Sequence, residues 1–223
     1  MASFSRLSPD EQCTRALAGG IAHVLRGGDT VALTGDLGAG KTTLARAIAA
    51  AIGVGPSSVS SPTFALVNQY DVPPSRAGPG GIAVIAHIDA YRLGDRDDLE
   101  SLGWDRYFGG RAALGGVLAL IEWPERIGAS CPEPALRVAI EAQGPSVRRF
   151  TIDVPDAWSS RPGAGLLAER EPTRCPVTGA WVSPTCSTYP FADDRARLAD
   201  LHRWFSGRYR ISREVSPEDR DGS

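Results

Sequence analysis

The apolar positions of the first half of the chain switch between helical and strand periods. Cys13, Ala16, Leu17, Ile21, Val24 and Leu25 recur at helical spacing, which predicts one amphipathic helix. Ser8-Pro9-Asp10-Glu11 offers it a start, with serine as N-cap, proline at the first helical position and glutamate three residues after the cap, and Gly27-Gly28 offers a stop. The short apolar run Val31-Ala32-Leu33 predicts a strand, and Thr42 opens an Ala/Leu-rich helix that stops at Gly53. Strands are further expected over residues 65–70, 82–89, 117–121, 135–140 and 149–153, with a hairpin tip over 73–81 and a short helix over 95–103. Apolar strands that read as near-continuous runs, alternating with helices, predict an α/β fold: a mostly parallel sheet flanked by helices, with a small C-terminal appendage.

Between the first strand and its following helix stands Gly35-Asp36-Leu37-Gly38-Ala39-Gly40-Lys41-Thr42, a full match to G-x-x-x-x-G-K-[ST]. Glycines let the backbone turn its N–H groups inward around an anion, a lysine reaches the outer phosphates, and the threonine hydroxyl holds magnesium. Composition sharpens this motif. Lys and Arg total 24, and every one but Lys41 is arginine. A planar guanidinium replaces lysine wherever a generic cation suffices, but not inside a tight phosphate cradle.

The rest of the composition excludes more than it selects. A formal net charge of −2 gives no global electrostatic drive toward nucleic acid. Cys13, Cys131, Cys175 and Cys186 form no CxxC pair, and no signal peptide or long apolar span is evident. The expectation is a cytoplasmic protein with reduced thiols and no membrane association.

Two carboxylates stand at the ends of apolar strands, Asp89 after residues 82–88 and Glu122 after 117–121, where one sheet edge would bring both beside the loop. One would serve as magnesium ligand and the other would orient water, although strand-end carboxylates also cap turns. Ser60, Ser61 and Thr63 form a hydroxyl-bearing segment that either approaches the metal and terminal phosphate as a switch or makes a Ser/Pro turn. His87 reads as packed or hydrogen-bonded structure rather than a ligand.

The stretches GDLGAGKTT, SSPTFALVNQYD, HIDAYRL and LIEWPERIG together resemble the TsaE family, small P-loop ATPases of bacterial threonylcarbamoyl-adenosine tRNA modification, over about residues 8 to 153. The resemblance implies that Asp36, Gly38, Ala39, Gly40, Lys41, Thr42 and Thr43 cradle ATP. It also implies that Thr42, Asp89 and Glu122 hold Mg2+ directly or through water, that Lys41, Asp89 and Glu122 support hydrolysis, that Thr63 lies in a switch-like segment, that Trp123 flanks the site, and that the strands over 135–140 and 149–153 close the sheet. Turnover would be slow without TsaD- and TsaB-like partners, which transfer threonylcarbamoyl onto tRNA, so that tRNA is met only indirectly. A small-molecule kinase, with Arg92, Arg96 and Arg106 as lid candidates, and a binding protein driven by the tail are the alternatives.

The boundaries expected are an ATPase domain over 1–154, a Pro/Gly/Ser-rich linker over 155–172, a module over 173–213 and a disordered tail over 214–223. The module resembles the zinc-binding gyrase-inhibitor family YacG, with its cysteine pairs, DLxxW helix and YRI ending. At the ligand positions it has Cys175, Thr178, Ala192 and Ala196, so three of four thiolates are missing, and Cys186 and His202 fit no familiar spacing. The expectation is therefore neither zinc nor direct DNA binding. With basic and acidic residues balanced, the tail reads as a degenerate docking module.

Overall fold

The structure, a computed structural model, describes residues 2–55, 66–74, 81–93, 116–167, 172–182, 186 and 188–205. Its centre is a seven-stranded sheet in the order β1-β7-β6-β2-β5-β4-β3. In chain order the strands are β1 (Ala2–Ser8), β2 (Thr30–Thr34), β3 (Val67–Asp71), β4 (Val84–Asp89), β5 (Val117–Glu122), β6 (Ala135–Ala142) and β7 (Arg148–Val154), and helices α1 (Glu11–Val24) and α2 (Lys41–Ile52) pack against each other. The four central strands β6, β2, β5 and β4 run parallel, while β3, β7 and β1 join antiparallel.

The middle strands β2 and β5 are apolar along most of their length because both faces are covered. Val31 and Leu33 of β2 join a core with Ile21 of α1 and Leu44 and Ile48 of α2, while Ala32 points into a second cluster with Ile88, Ala119, Ile121 and Ile127. This is the period-2 alternation of a pleat whose two sides are both dry. Parallel alignment then brings the C-terminal ends of β2, β4 and β5 to one edge, where Asp89 lies opposite Glu122 in register and Leu33 lies opposite Glu122 on the other side.

Three expectations are corrected. The α1 cap is Asp10, whose side chain accepts from the Cys13 amide at 2.8 Å, and Ser8 is instead the last residue of β1. The Ser8 hydroxyl is drawn off to the Asp10 carbonyl and the Thr14 hydroxyl, each at 2.8 Å, which leaves it none of the helix's free amides to cap. The strands expected to close the sheet are inner neighbours: β6 pairs β2, and the edge belongs to β1 beyond β7. Finally, the supposed linker begins as part of the domain. Trp158 and Leu167 are each 1% exposed within the main core. Arg161 holds the stretch down with two bonds to Asp29, at 2.5 and 3.0 Å, a third to the Val24 carbonyl, and its guanidinium 4.0 Å over the Trp158 ring. The buried Arg6 side chain donates to the Leu167 carbonyl. A salt bridge with an aromatic lid and a buried indole outweigh what a Pro/Gly-rich composition favours.

Further along the chain, β8 (Thr173–Arg174) pairs antiparallel with β9 (Trp181–Val182), and α3 (Asp194–Phe205) follows. Cys175, Val182 and Ala196 form a separate small core, lined by Val177, Cys186, Tyr189 and Phe191. Among the described residues no group of three or more His, Cys, Asp or Glu could hold a metal, and no helix is long and apolar enough to cross a membrane. Residues 75–80 of the hairpin tip expected over 73–81, the short helix over 95–103 and the tail over 214–223 lie outside the described residues.

Candidate functional site

The loop between β2 and α2 depends on glycine at two places. A Cβ on Gly35, at φ +136°, would stand 2.3 Å from the Ile140 carbonyl oxygen, and Gly40 caps α2 at φ +114° and ψ 18°. Both are conformations that other residues adopt only under strain. With Gly40 so placed, the loop passes directly into α2 and its first amides face the loop, which is the geometry that favours an anion.

Lys41 is 4% exposed. Its Nζ donates to the Gly35 and Asp36 carbonyls at 2.6 and 2.8 Å and stands 3.6 Å from the Trp123 ring centroid. Burial lowers the Lys41 ammonium from its ordinary range, against the opposing pull of Glu122, Glu125, Asp89 and Asp36. Trp123 takes up that position through a left-handed backbone, φ 59° and ψ 49°, immediately after β5. Its ring packs against Tyr91 at 5.0 Å, and Arg126 stacks in turn over Tyr91 at 5.4 Å.

Glu122 is buried and bonded from two sides: its Oε2 accepts from the Thr42 hydroxyl at 2.9 Å, and its Oε1 lies 2.8 Å from His87 Nε2. Asp89, also buried, caps the short turn Ala90–Arg92 by accepting from the Tyr91 amide at 3.1 Å and lines the same cleft. The cleft has a volume of about 400 Å³ and is lined by Leu37, Gly38, Gly40, Lys41, Thr42, Thr43, Asp89, Tyr91, Arg92, Glu122 and Trp123. Asp36 sits in the loop and gives its carbonyl to Lys41, and Ala39 faces the other side. Thr63, Arg96 and Arg106 lie outside the described residues.

A second cleft of about 200 Å³ opens on the opposite flank of the loop, between Gly38, Ala39, Gly40 and Thr43 and the residues Glu11, Thr14, Ser146 and Arg148. Arg148 ties this flank together. Its Nε donates to the Ala39 carbonyl at 2.8 Å, and its Nη1 reaches the turn carbonyls of Gly144, Pro145 and Val147. Sequence reasoning missed Arg148, which follows a Gly-Pro turn in a chain full of arginines, and missed Tyr91, which carries no chemistry of its own. His87 was read as hydrogen-bonded structure, and so it is, but the group it bonds is Glu122.

A sequence model of the family described as threonylcarbamoyl adenosine biosynthesis protein TsaE matches residues 8–150. The tRNA threonylcarbamoyladenosine biosynthesis protein TsaE of Bacillus subtilis is 34% identical over 146 residues, 66% of this chain and 81% of that protein. Its counterpart of Aquifex aeolicus is 41% identical over 117 residues, 52% and 73% respectively. Among solved structures, Bacillus subtilis YdiB superposes with a TM-score of 0.51 at 27% identity, over 70% of this chain and 89% of that one. The residues beyond 150, with β8, β9 and α3, lie outside the family match.

Proposed function

This chain belongs to the TsaE family, the threonylcarbamoyl adenosine biosynthesis proteins, and from that premise we propose that it hydrolyses ATP in support of tRNA threonylcarbamoyladenosine formation, beside TsaD- and TsaB-like subunits. The observation that carries this reading is the convergence of Lys41, Thr42, Asp89 and Glu122 on one cleft beside a glycine-built loop. The residues suit a magnesium-bound triphosphate. The cradle has no room for a side chain at Gly35, the loop has one compact ammonium, and the Thr42 hydroxyl gives its hydrogen to Glu122, which leaves only lone pairs on Oγ1 for a cation.

The two clefts divide the labour. The one holding Asp89, Glu122 and Lys41 takes the terminal phosphates, and the one under Arg148 takes the nucleoside end. The loop amides and the α2 N-terminus bind phosphate oxygens. Lys41 exchanges the carbonyls of Gly35 and Asp36 for phosphate and counters the charge that grows as the outer bond breaks. Either Asp89 or Glu122 orients the attacking water, and Trp123 and Tyr91 shield that side from bulk solvent. Thr42, Asp89 and Glu122 would hold magnesium, directly or through water, and the ion would supply positive charge against the outer phosphates.

In this reading the ATPase domain spans 1–154, the stretch to 167 is its outer brace, and the module from 173 is an addition to it, in a protein that works in the cytoplasm. The test is ATP labelled on its terminal phosphate, followed by thin-layer chromatography with and without purified TsaD- and TsaB-like subunits and tRNA. Free phosphate and modified tRNA are expected. Label moving to a metabolite would favour a kinase, and no turnover under either condition would overturn the proposal.

A further inference from the structure

We infer that His87 is a positioning residue: it fixes the carboxylate of Glu122, and through it turns the Thr42 hydroxyl so that a lone pair faces the cleft. The inference rests on the metal and nucleotide reading above and adds a residue with no reach to either ligand. His87 is completely buried in the middle of β4. Ile85, two residues earlier on the same strand face, and Leu120, its register partner on β5, are apolar and buried, so an aliphatic side chain would suit the packing there.

Among the described residues only one of its two ring nitrogens has a partner: Nε2 lies 2.8 Å from Glu122 Oε1, while Nδ1 is buried without one. With Glu122 as a carboxylate and the ring neutral, the ring hydrogen sits on Nε2 and Nδ1 keeps a bare lone pair. A core position that buries an unpaired acceptor is unfavourable for folding on its own account, and an aliphatic residue would avoid that. What the histidine provides is a donor to Glu122 from below the sheet edge.

Glu122 is thereby held from both ends, by His87 at Oε1 and by Thr42 at Oε2, the latter at 2.9 Å. With two donors on opposite oxygens the carboxylate plane has one orientation. The Thr42 hydrogen is committed to it, and Oγ1 presents lone pairs toward the space lined by Asp89 and Lys41. Residues that orient metal ligands in this way affect metal affinity strongly without touching the ion.

The test compares His87→Met, similar in bulk but without a donor, with His87→Gln, whose side-chain amide can still donate to Glu122. Binding of a fluorescent ADP analogue to the full chain is measured without magnesium and across a magnesium titration, with circular dichroism melts as the folding check. His87→Met should leave metal-free binding unchanged and raise the magnesium midpoint by about 10-fold or more, while His87→Gln should stay close to wild type. An unchanged midpoint in His87→Met, or equal impairment in a folded His87→Gln, would overturn the inference. Wild-type binding that ignores magnesium would instead defeat the metal reading beneath it. Should His87→Met not fold, nitrogen-15 spectra of the wild-type imidazoles decide. A ring protonated at Nε2 whose signals move when magnesium and ADP are added supports the role, and an Nδ1-protonated ring or unmoved signals refute it.

Discussion

The candidate nucleotide cleft and the C-terminal unit both bury polar groups, but they satisfy them over different distances along the chain. In the cleft, Thr42 meets Glu122 across 80 residues, His87 meets Glu122 across 35, and Arg148 meets Ala39 across 109. In the C-terminal unit most partners are neighbours, and even the Ala192 amide on the Cys175 sulfur comes from only seventeen residues away. The Thr178 amide bonds the Cys175 sulfur three residues away, Cys186 meets the Thr188 hydroxyl two away, and Thr188 reaches the Phe191 carbonyl three away. A site built from distant residues needs the whole sheet to hold it and inherits the stability of that large core. A unit closed by local bonds around Cys175, Val182 and Ala196 has little apolar surface of its own to bury.

The comparison breaks first if residues 155–167 are not truly part of the large core. Trp158→Ala should destabilise the domain by about 3–5 kcal/mol in urea titration, as loss of a fully buried indole does, and a cost near zero would return that stretch to being a linker. Next come the long-range contacts of the cleft. Glu122→Gln and Asp89→Asn should each lower ATP turnover on the order of 100-fold while nucleotide binding persists, and Lys41→Ala should weaken ATP binding by about 2–3 kcal/mol, the scale of hydrogen bonds to a charge. Calorimetry that finds Lys41→Ala binding ATP like wild type would sink the cradle assignment.

The local unit makes a smaller, pH-dependent contribution. Burial raises the Cys175 thiol, but the Thr178 side chain and the amides of Thr178, Ala192 and Val177 outweigh it and bring the pKa down from 9.0 to about 7. Because the folded value lies below the unfolded one, the resulting stabilisation is complete above pH 9, shrinks as the pH falls toward 7, and is gone below that. Thiolate absorbance should therefore show one group titrating near pH 7 that disappears in Cys175→Ser, whereas Cys13, pushed up to about 12 by burial and the nearby Asp10, stays protonated there. The smallest expected effect is that of removing everything after Leu167, which should leave turnover nearly unchanged; a lost activity would mean the two regions work together.

Where sequence and structure agree, the signal was local or strongly periodic. The loop, α2 with its Gly53 end, and the paired strand ends at Asp89 and Glu122 were all legible, because apolar runs and a spaced motif encode them directly. The first strand was not. Ala2–Ser8 is an edge strand whose exposed positions alternate with only a few buried ones, so its pattern is faint. Ser8 misled because serine three residues before glutamate imitates a capping box, while the working cap, Asp10, is a residue with no such pairing. Trp158 was hidden by its Pro- and Gly-rich neighbours, and what secures it, the Arg161–Asp29 pair, joins residues 132 apart. Arg148 and His87 share that obscurity: each acts through a contact that only the folded sheet creates.

The anchoring of Leu167 also sets a leash. Leu167 is buried in the main core with its carbonyl held by Arg6, and the C-terminal unit begins at Pro172. A chain advances at most about 3.5 Å per residue, so the stretch 168–171 lets Pro172 stray no more than roughly 17 Å from Leu167. Anything that the C-terminal unit captures is therefore kept within short reach of the Leu167 end of this domain rather than delivered wherever a long arm could carry it.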